Sequence, residues 1–138
     1  MKILGIDHIS IATGDISGHR RIFERLFGME AGPVESNLAN KVALSFLDFG
    51  NISVELIEPL DKDSPISKFL EKRGPGIHHL CVLVEDIDQA LEELLAKTVR
   101  LLDQKPRVGA GGARIAFIHP DSAGGTLIEL KEQKPKSH

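Results

Sequence analysis

GIDHISIATGDISGHRRIFERLF (residues 5–27) and GIHHLCVLVEDIDQALEELLAKT (residues 76–98) decide the fold, because the second repeats the first. They align without a gap at an offset of 71, with Gly5 and Gly76, Ile6 and Ile77, His8 and His79, Asp15 and Asp86, and Ile16 and Ile87 identical. Working outward, the same offset sets Phe46 over Phe117, within LSFLDFG and IAFIHPD. VELIE (54–58) then matches IELKE (128–132) at an offset of 74, the change coming from a second turn, HPDSAGG, that is longer than DFGN. Single matches of this length arise by chance. Their common order and near-constant offset mark an internal duplication.

Each half carries the same order of elements. Residues 7–13 and 78–84 alternate, with Ile9 and Ile11, or Leu80, Val82 and Val84, on one face, the pattern of a half-buried strand. Asp15 and Asp86 follow at helix N-cap positions, where a carboxylate accepts the open amide hydrogens of the first turn. Ile87, Ala90, Leu91, Leu94 and Leu95 recur at helical spacing, and Gly28 ends the first helix. Three more strands are expected in each half: around Glu30 to Val34, Lys41 to Phe49 and Asn51 to Glu58, then around Arg100 to Leu102, Arg114 to His119 and Thr126 to Glu132. The pattern is βαβββ twice, an α+β fold rather than a doubly wound sheet. Between the halves, PLDKDSP (59–65) is turn-rich and Ile66 to Lys72 reads as a short helix. The polar tail KEQKPKSH (131–138) is expected to fray.

The 138 residues, 41% hydrophobic and 27% charged, fit one globular domain of two modules, about 3–58 and 76–132. A net charge of −3, with no Trp or Tyr, argues against nucleic acid as a partner. No apolar run approaches the roughly 20 residues of a membrane span, and Asp7 interrupts the N-terminus before a signal-peptide core develops. The single Cys81 excludes an internal disulfide and points to a reducing, cytoplasmic setting.

Alternation decides which side chains share a face. In the first strand His8, Ser10 and Ala12 oppose Ile9 and Ile11; in its repeat His79, Cys81 and Leu83 oppose Leu80, Val82 and Val84. In the closing strands Ser53, Glu55 and Ile57 oppose Ile52, Val54 and Leu56, and Leu127, Glu129 and Lys131 oppose Ile128 and Leu130. Each half thus sets one His and one Glu away from its helix-packed face. A single strand His is ordinarily a hydrogen-bonded structural residue, and a single Glu between apolar neighbours ordinarily faces water. The recurrence in equivalent places favours a shared role: His8, Glu55, His79 and Glu129 as ligands of a borderline or hard divalent metal, with open positions for water or substrate.

Other candidates read more plainly. His78 falls on the opposite face from His79, as a packing or surface residue. His119 precedes Pro120 at a turn, and His19 joins Arg20 and Arg21 on a solvated helix face. Cys81 is placed beside His79, lining a cavity, without the cues of a nucleophile. GAGG (109–112) matches neither dinucleotide nor phosphate-loop patterns and marks a loop or turn.

The paired βαβββ halves with His, Glu, His, Glu resemble the vicinal oxygen chelate superfamily, which includes glyoxalase I, extradiol dioxygenases and fosfomycin-resistance proteins. Within it the chain is most similar to the methylmalonyl-CoA epimerases, through DHISIA (7–12), VELIEPLDKDSPISKFLEKRGPGIHHLCV (54–82) and VGAGGARIAFIHPDSAGGTLIEL (108–130). The resemblance implies a glyoxalase-like curved mixed sheet around a metal site. It implies epimerisation at C2 of methylmalonyl-CoA through an enolate, an acyl-CoA thioester as partner, and a homodimer. It implies a divalent metal, cobalt foremost, with Zn, Ni, Mn or Mg as alternatives, on His8, Glu55, His79 and Glu129. Glu129 is then also a catalytic base. Some members carry the second base in the middle strand of the first half, where VALSFL (42–47) has no acid, so Glu55 is taken as its substitute. A glyoxalase I-type lactoylglutathione lyase and a non-catalytic metal-dependent binding protein are the competing functions; an iron dioxygenase fits the ligands but not the linker motifs.

Overall fold

The structure, a computed structural model, describes residues 1–133. The chain forms two compact units: His8–His78, and Met1–Asp7 together with the chain from His79 onward. The expected tail falls largely on 134–138, outside the described residues. Among the described residues no helix is long and apolar enough to cross a membrane.

In the unit His8–His78, strand β1 (Ile3–Ala12, from His8 on) leads into helix α1 (Ile16–Phe27), then β2 (Glu35–Asn37), β3 (Val42–Asp48) and β4 (Ser53–Pro59). The strand order is β2-β3-β4-β1, with β1 parallel to β4 and the other pairs antiparallel. Helix α1 begins where expected, the Asp15 carboxylate accepting from Gly18 N at 3.0 Å. It ends at Gly28, whose φ of 62° is left-handed and open to glycine without steric cost. Ile16, Ala31, Leu47 and Leu56 form the core under it, joined by Ile11, Phe23, Met29 and Val54. This is the branched face that alternation predicts. A further helix, α2 (Pro65–Arg73), starts at Ser64, whose hydroxyl accepts from Ile66 N, with Pro65 as its first residue.

The other unit repeats the order: β5 (Gly76–Val84, from His79 on), α3 (Ile87–Ala96), β6 (Arg107–Val108), β7 (Arg114–Ile118) and β8 (Ile128–Glu132). Here the order is β5-β8-β7-β6, with β5 parallel to β8. Asp86 caps α3 through Gln89 N at 3.0 Å. Val84, Ile87, Ala90, Leu91, Ala116, Ile118 and Leu130 form the core. Met1–Asp7 joins this unit: Lys2 O accepts from Glu85 N at 3.1 Å, and Asp7 pairs with Lys131 at 3.1 Å.

The α+β reading and the doubled βαβββ order hold, with local corrections. No strand forms at Glu30 to Val34; β2 begins at Glu35. The backbone there is satisfied otherwise: Gly32 O accepts from Arg20 Nη2 at 2.8 Å and Ser45 Oγ at 2.7 Å, Ala31 N donates to Glu24 Oε2, and Gly32 N to Phe46 O. A Cβ at Gly32 would stand 3.0 Å from Phe46 O, a tight approach that favours glycine. Arg100 to Leu102 is likewise not a strand, making one bridge, Leu101 to Ile118; the edge strand is Arg107–Val108. Leu95, expected on the buried stripe, is 43% exposed at the end of α3.

Candidate metal and active site

In the unit His8–His78 the parallel register of β1 and β4 sets Ser10 opposite Glu55, with His8 one pleat earlier on the same face. Ser10 Oγ donates to Glu55 Oε1 at 2.5 Å, and His8 Nε2 lies 3.7 Å from the same oxygen. Phe46 on β3 is in register with Glu55 and meets the His8 ring edge-on, centroids 5.9 Å apart. His8, Ser10 and Glu55 are all buried.

The second unit builds the same constellation from equivalent residues. Cys81 stands opposite Glu129 in the β5–β8 register, and His79 Nε2 lies 3.0 Å from Glu129 Oε1. Phe117 on β7 is in register with Glu129 and meets His79 edge-on at 5.3 Å. Its amide donates to Asp103 Oδ2, and the Arg107 guanidinium covers its ring at 5.3 Å. His79, Cys81 and Glu129 are buried.

Each unit therefore brings together one buried His–Glu pair, as alternation requires. Removing a carboxylate from water costs several kcal/mol unless a positive charge or full hydrogen bonding offsets it. Glu55 and Glu129 are 6% and 7% exposed. Within each unit the imidazole and the buried carboxylate are donor types that a borderline or hard divalent ion accepts.

The remaining candidates resolve locally. His78 packs edge-on against Phe69 at 4.9 Å, and His119 Nδ1 accepts from Asp121 N at 3.0 Å as the cap of a turn. GAGG forms a short 3₁₀ turn over Ala110–Gly112. On α1 the solvated reading fails for two residues: His19 packs on Phe23 and Arg20 is tied to Gly32 O, while Arg21 is exposed.

Sequence reasoning gave no role to Ser10, Phe46 or Phe117, although the matched phenylalanines at one offset were the available signal. It also missed Glu58 and Glu132. Their carboxylates accept from the first helical amides, Ile16 N at 3.3 Å and Ile87 N at 3.1 Å, three residues beyond each ligand candidate in VELIE and IELKE. Negative charge at a helix N-terminus is favourable, and the repetition of both contacts ties each helix to its own sheet.

The sequence profile of the Glyoxalase/Bleomycin resistance protein/Dioxygenase superfamily matches residues 7–117. The chain belongs to this superfamily. Within the glyoxalase superfamily, it is 36% identical over 129 residues to the mitochondrial methylmalonyl-CoA epimerase of Dictyostelium discoideum, covering 93% of this chain and 78% of that one. The crystal structure of the Mycobacterium tuberculosis methylmalonyl-CoA epimerase matches at a TM-score of 0.90 and 38% identity, over 96% of this chain and 90% of that one. A methylmalonyl-CoA epimerase in complex with methylmalonyl-CoA and NH4+ matches at a TM-score of 0.89 and 33% identity, over 96% of each chain. The glyoxalase fold that the resemblance implied is therefore the fold of this chain.

Proposed function

We propose that this protein interconverts the C2 epimers of methylmalonyl-CoA through an enolate. The observation that carries the reading is similarity to enzymes of that name across 93% of the chain or more, one of them holding the substrate itself. The chemistry asks for a group that removes the C2 proton on one face, a group that returns it on the other, and stabilisation of the charge that builds on the thioester oxygen.

Glu129 is assigned the first proton transfer and Glu55 the second; a positioned acid or base contributes typically about 10²–10⁴-fold. Both carboxylates are buried, so bulk water does not compete for the substrate proton. His8, Glu55, His79 and Glu129 would hold a divalent metal, a reading supported by the superfamily and by the buried His–Glu pair in each unit. When bound, such an ion supplies Lewis acidity at the developing enolate oxygen, on the order of several kcal/mol. Phe46 and Phe117 make T-shaped contacts with the two imidazoles, which favour the observed ring orientations.

Cobalt is the proposed ion, with Zn, Ni, Mn and Mg compared in the same assay. The two modules are taken to act as one domain and the protein as a cytoplasmic homodimer, supported by the family resemblance and, for the compartment, by a single cysteine that excludes an internal disulfide. The test is exchange of the substrate C2 hydrogen in D₂O together with epimer interconversion, with and without added divalent metals. Both are expected, and metal-dependent. Their joint absence in metal-loaded protein, or turnover of methylglyoxal with glutathione instead, would overturn the assignment.

A further inference from the structure

The two His–Glu pairs are equivalent by sequence, yet their carboxylates are held differently. In one unit Glu55 Oε1 receives the Ser10 hydroxyl at 2.5 Å, with His8 Nε2 farther off at 3.7 Å. In the other, Glu129 Oε1 lies 3.0 Å from His79 Nε2, and the position equivalent to Ser10 is Cys81. A hydroxyl is a full hydrogen-bond donor, whereas a thiol is a weak one. Ser10 is wholly buried and lies directly opposite Glu55 in the register, so its hydroxyl has no route to solvent.

We propose that Ser10 is a positioning residue for Glu55: its hydroxyl holds Oε1 against β1, stops rotation of the carboxylate about its last torsion and so fixes where Oε2 lies. A charge-assisted O–H···O⁻ bond is among the stronger hydrogen bonds available to a side chain. Partners that orient a metal ligand ordinarily carry about 10–100-fold of metal affinity when removed. The inference rests on the ligand reading of Glu55 and deepens it: the protein assigns a serine to one ligand carboxylate and a histidine contact to the other. Ser10 neither binds substrate nor exchanges a proton with it; it acts through Glu55.

The test uses full-length protein carrying Ser10→Ala, Ser10→Cys, Glu55→Ala, and the Ser10→Ala/Glu55→Ala pair. Co²⁺ affinity is measured by chelator competition and the Co²⁺ absorption spectrum recorded, alongside kcat, KM and thermal midpoint. Ser10→Ala should weaken Co²⁺ by about 10–100-fold and alter the spectrum. It should lower kcat more than it changes KM, and Ser10→Cys should fall between it and the parent. In the Glu55→Ala background the Ser10→Ala effect on affinity should vanish. Unchanged affinity and spectrum in Ser10→Ala, with a parent that binds Co²⁺ and epimerises, would overturn the proposal alone, as would an effect that persists without Glu55. A parent that takes up no metal would overturn the ligand reading, and this inference with it.

Discussion

Replacing His79 with Ala removes a side chain that is 5% exposed and engaged on two sides. Its Nε2 is 3.0 Å from Glu129 Oε1, and its ring meets Phe117 edge-on at 5.3 Å. A hydrogen bond to a charged partner contributes about 1.5–3 kcal/mol and an edge-on aromatic contact about 0.5–1.5 kcal/mol. Without metal, unfolding in urea with chelator present should therefore show a loss of about 2–4.5 kcal/mol, leaving a folded protein. The metal term is separate. Orienting partners alone carry about 10–100-fold in affinity, so loss of a ligand should raise Kd by at least about 100-fold. At a metal concentration of about 100 times the parent Kd, the parent gains about 2.7 kcal/mol from binding and the variant at most about 0.4 kcal/mol. Paired urea melts, with and without Co²⁺, read both terms, and elemental analysis reads occupancy. A folded His79→Ala protein that keeps full metal occupancy and the parent's metal-induced gain would refute the ligand assignment.

Two further outcomes follow from the same geometry. Glu129→Gln keeps an acceptor of the same shape beside His79 but removes the base. C2 exchange in D₂O should fall by about 10²–10⁴-fold, and exchange at the parental rate would remove Glu129 from the mechanism. On the outer face of α3, Arg114 grips Asp88 with both terminal nitrogens at 2.9 Å and holds its carboxyl below the usual range, chiefly by hydrogen bonding. A depressed pKa means the pair's contribution is complete above the ordinary carboxylate titration near about 3.9 and fades as pH falls below it. Arg114→Gln should return the Asp88 titration to its ordinary place by carboxyl-detected NMR, with little change in stability at neutral pH because the pair is exposed; an unmoved titration would contradict the pairing.

The parts of the fold that periodicity and capping govern were legible beforehand. Asp15 and Asp86 cap their helices, Gly28 closes α1, and the alternation of β1 and β5 sets the His side chains away from the helix-packed cores. What local pattern does not encode is the choice between a strand ladder and side-chain partners. Residues 30–34 form no strand, and Arg20, Glu24 and Ser45 hydrogen-bond the backbone of Ala31 and Gly32 instead. The edge pairing at Arg107–Val108 depends on the tight turn through Gly109, Gly111 and Gly112, which folds it back on β7. Glu58 and Glu132 were invisible because each contact spans more than forty residues of chain. The His–Glu pairs were readable from the repeat alone; the unequal way in which Ser10 and His79 hold the two carboxylates was not.

Met1–Asp7 belongs to the unit whose remainder, from His79 onward, is translated later than the other unit. Asp7 meets Lys131 across 124 positions, Lys2 hydrogen-bonds Glu85, and the Met1 ammonium pairs with Glu93. At a synthesis rate of about 5–20 residues per second, the N-terminus waits on the order of 6–25 s for Lys131 to be made. Through that interval ILGI (3–6) is an unpaired apolar segment, the kind of open strand edge that recruits other chains. Deleting Met1–Asp7 would accordingly injure the unit built from His79 onward.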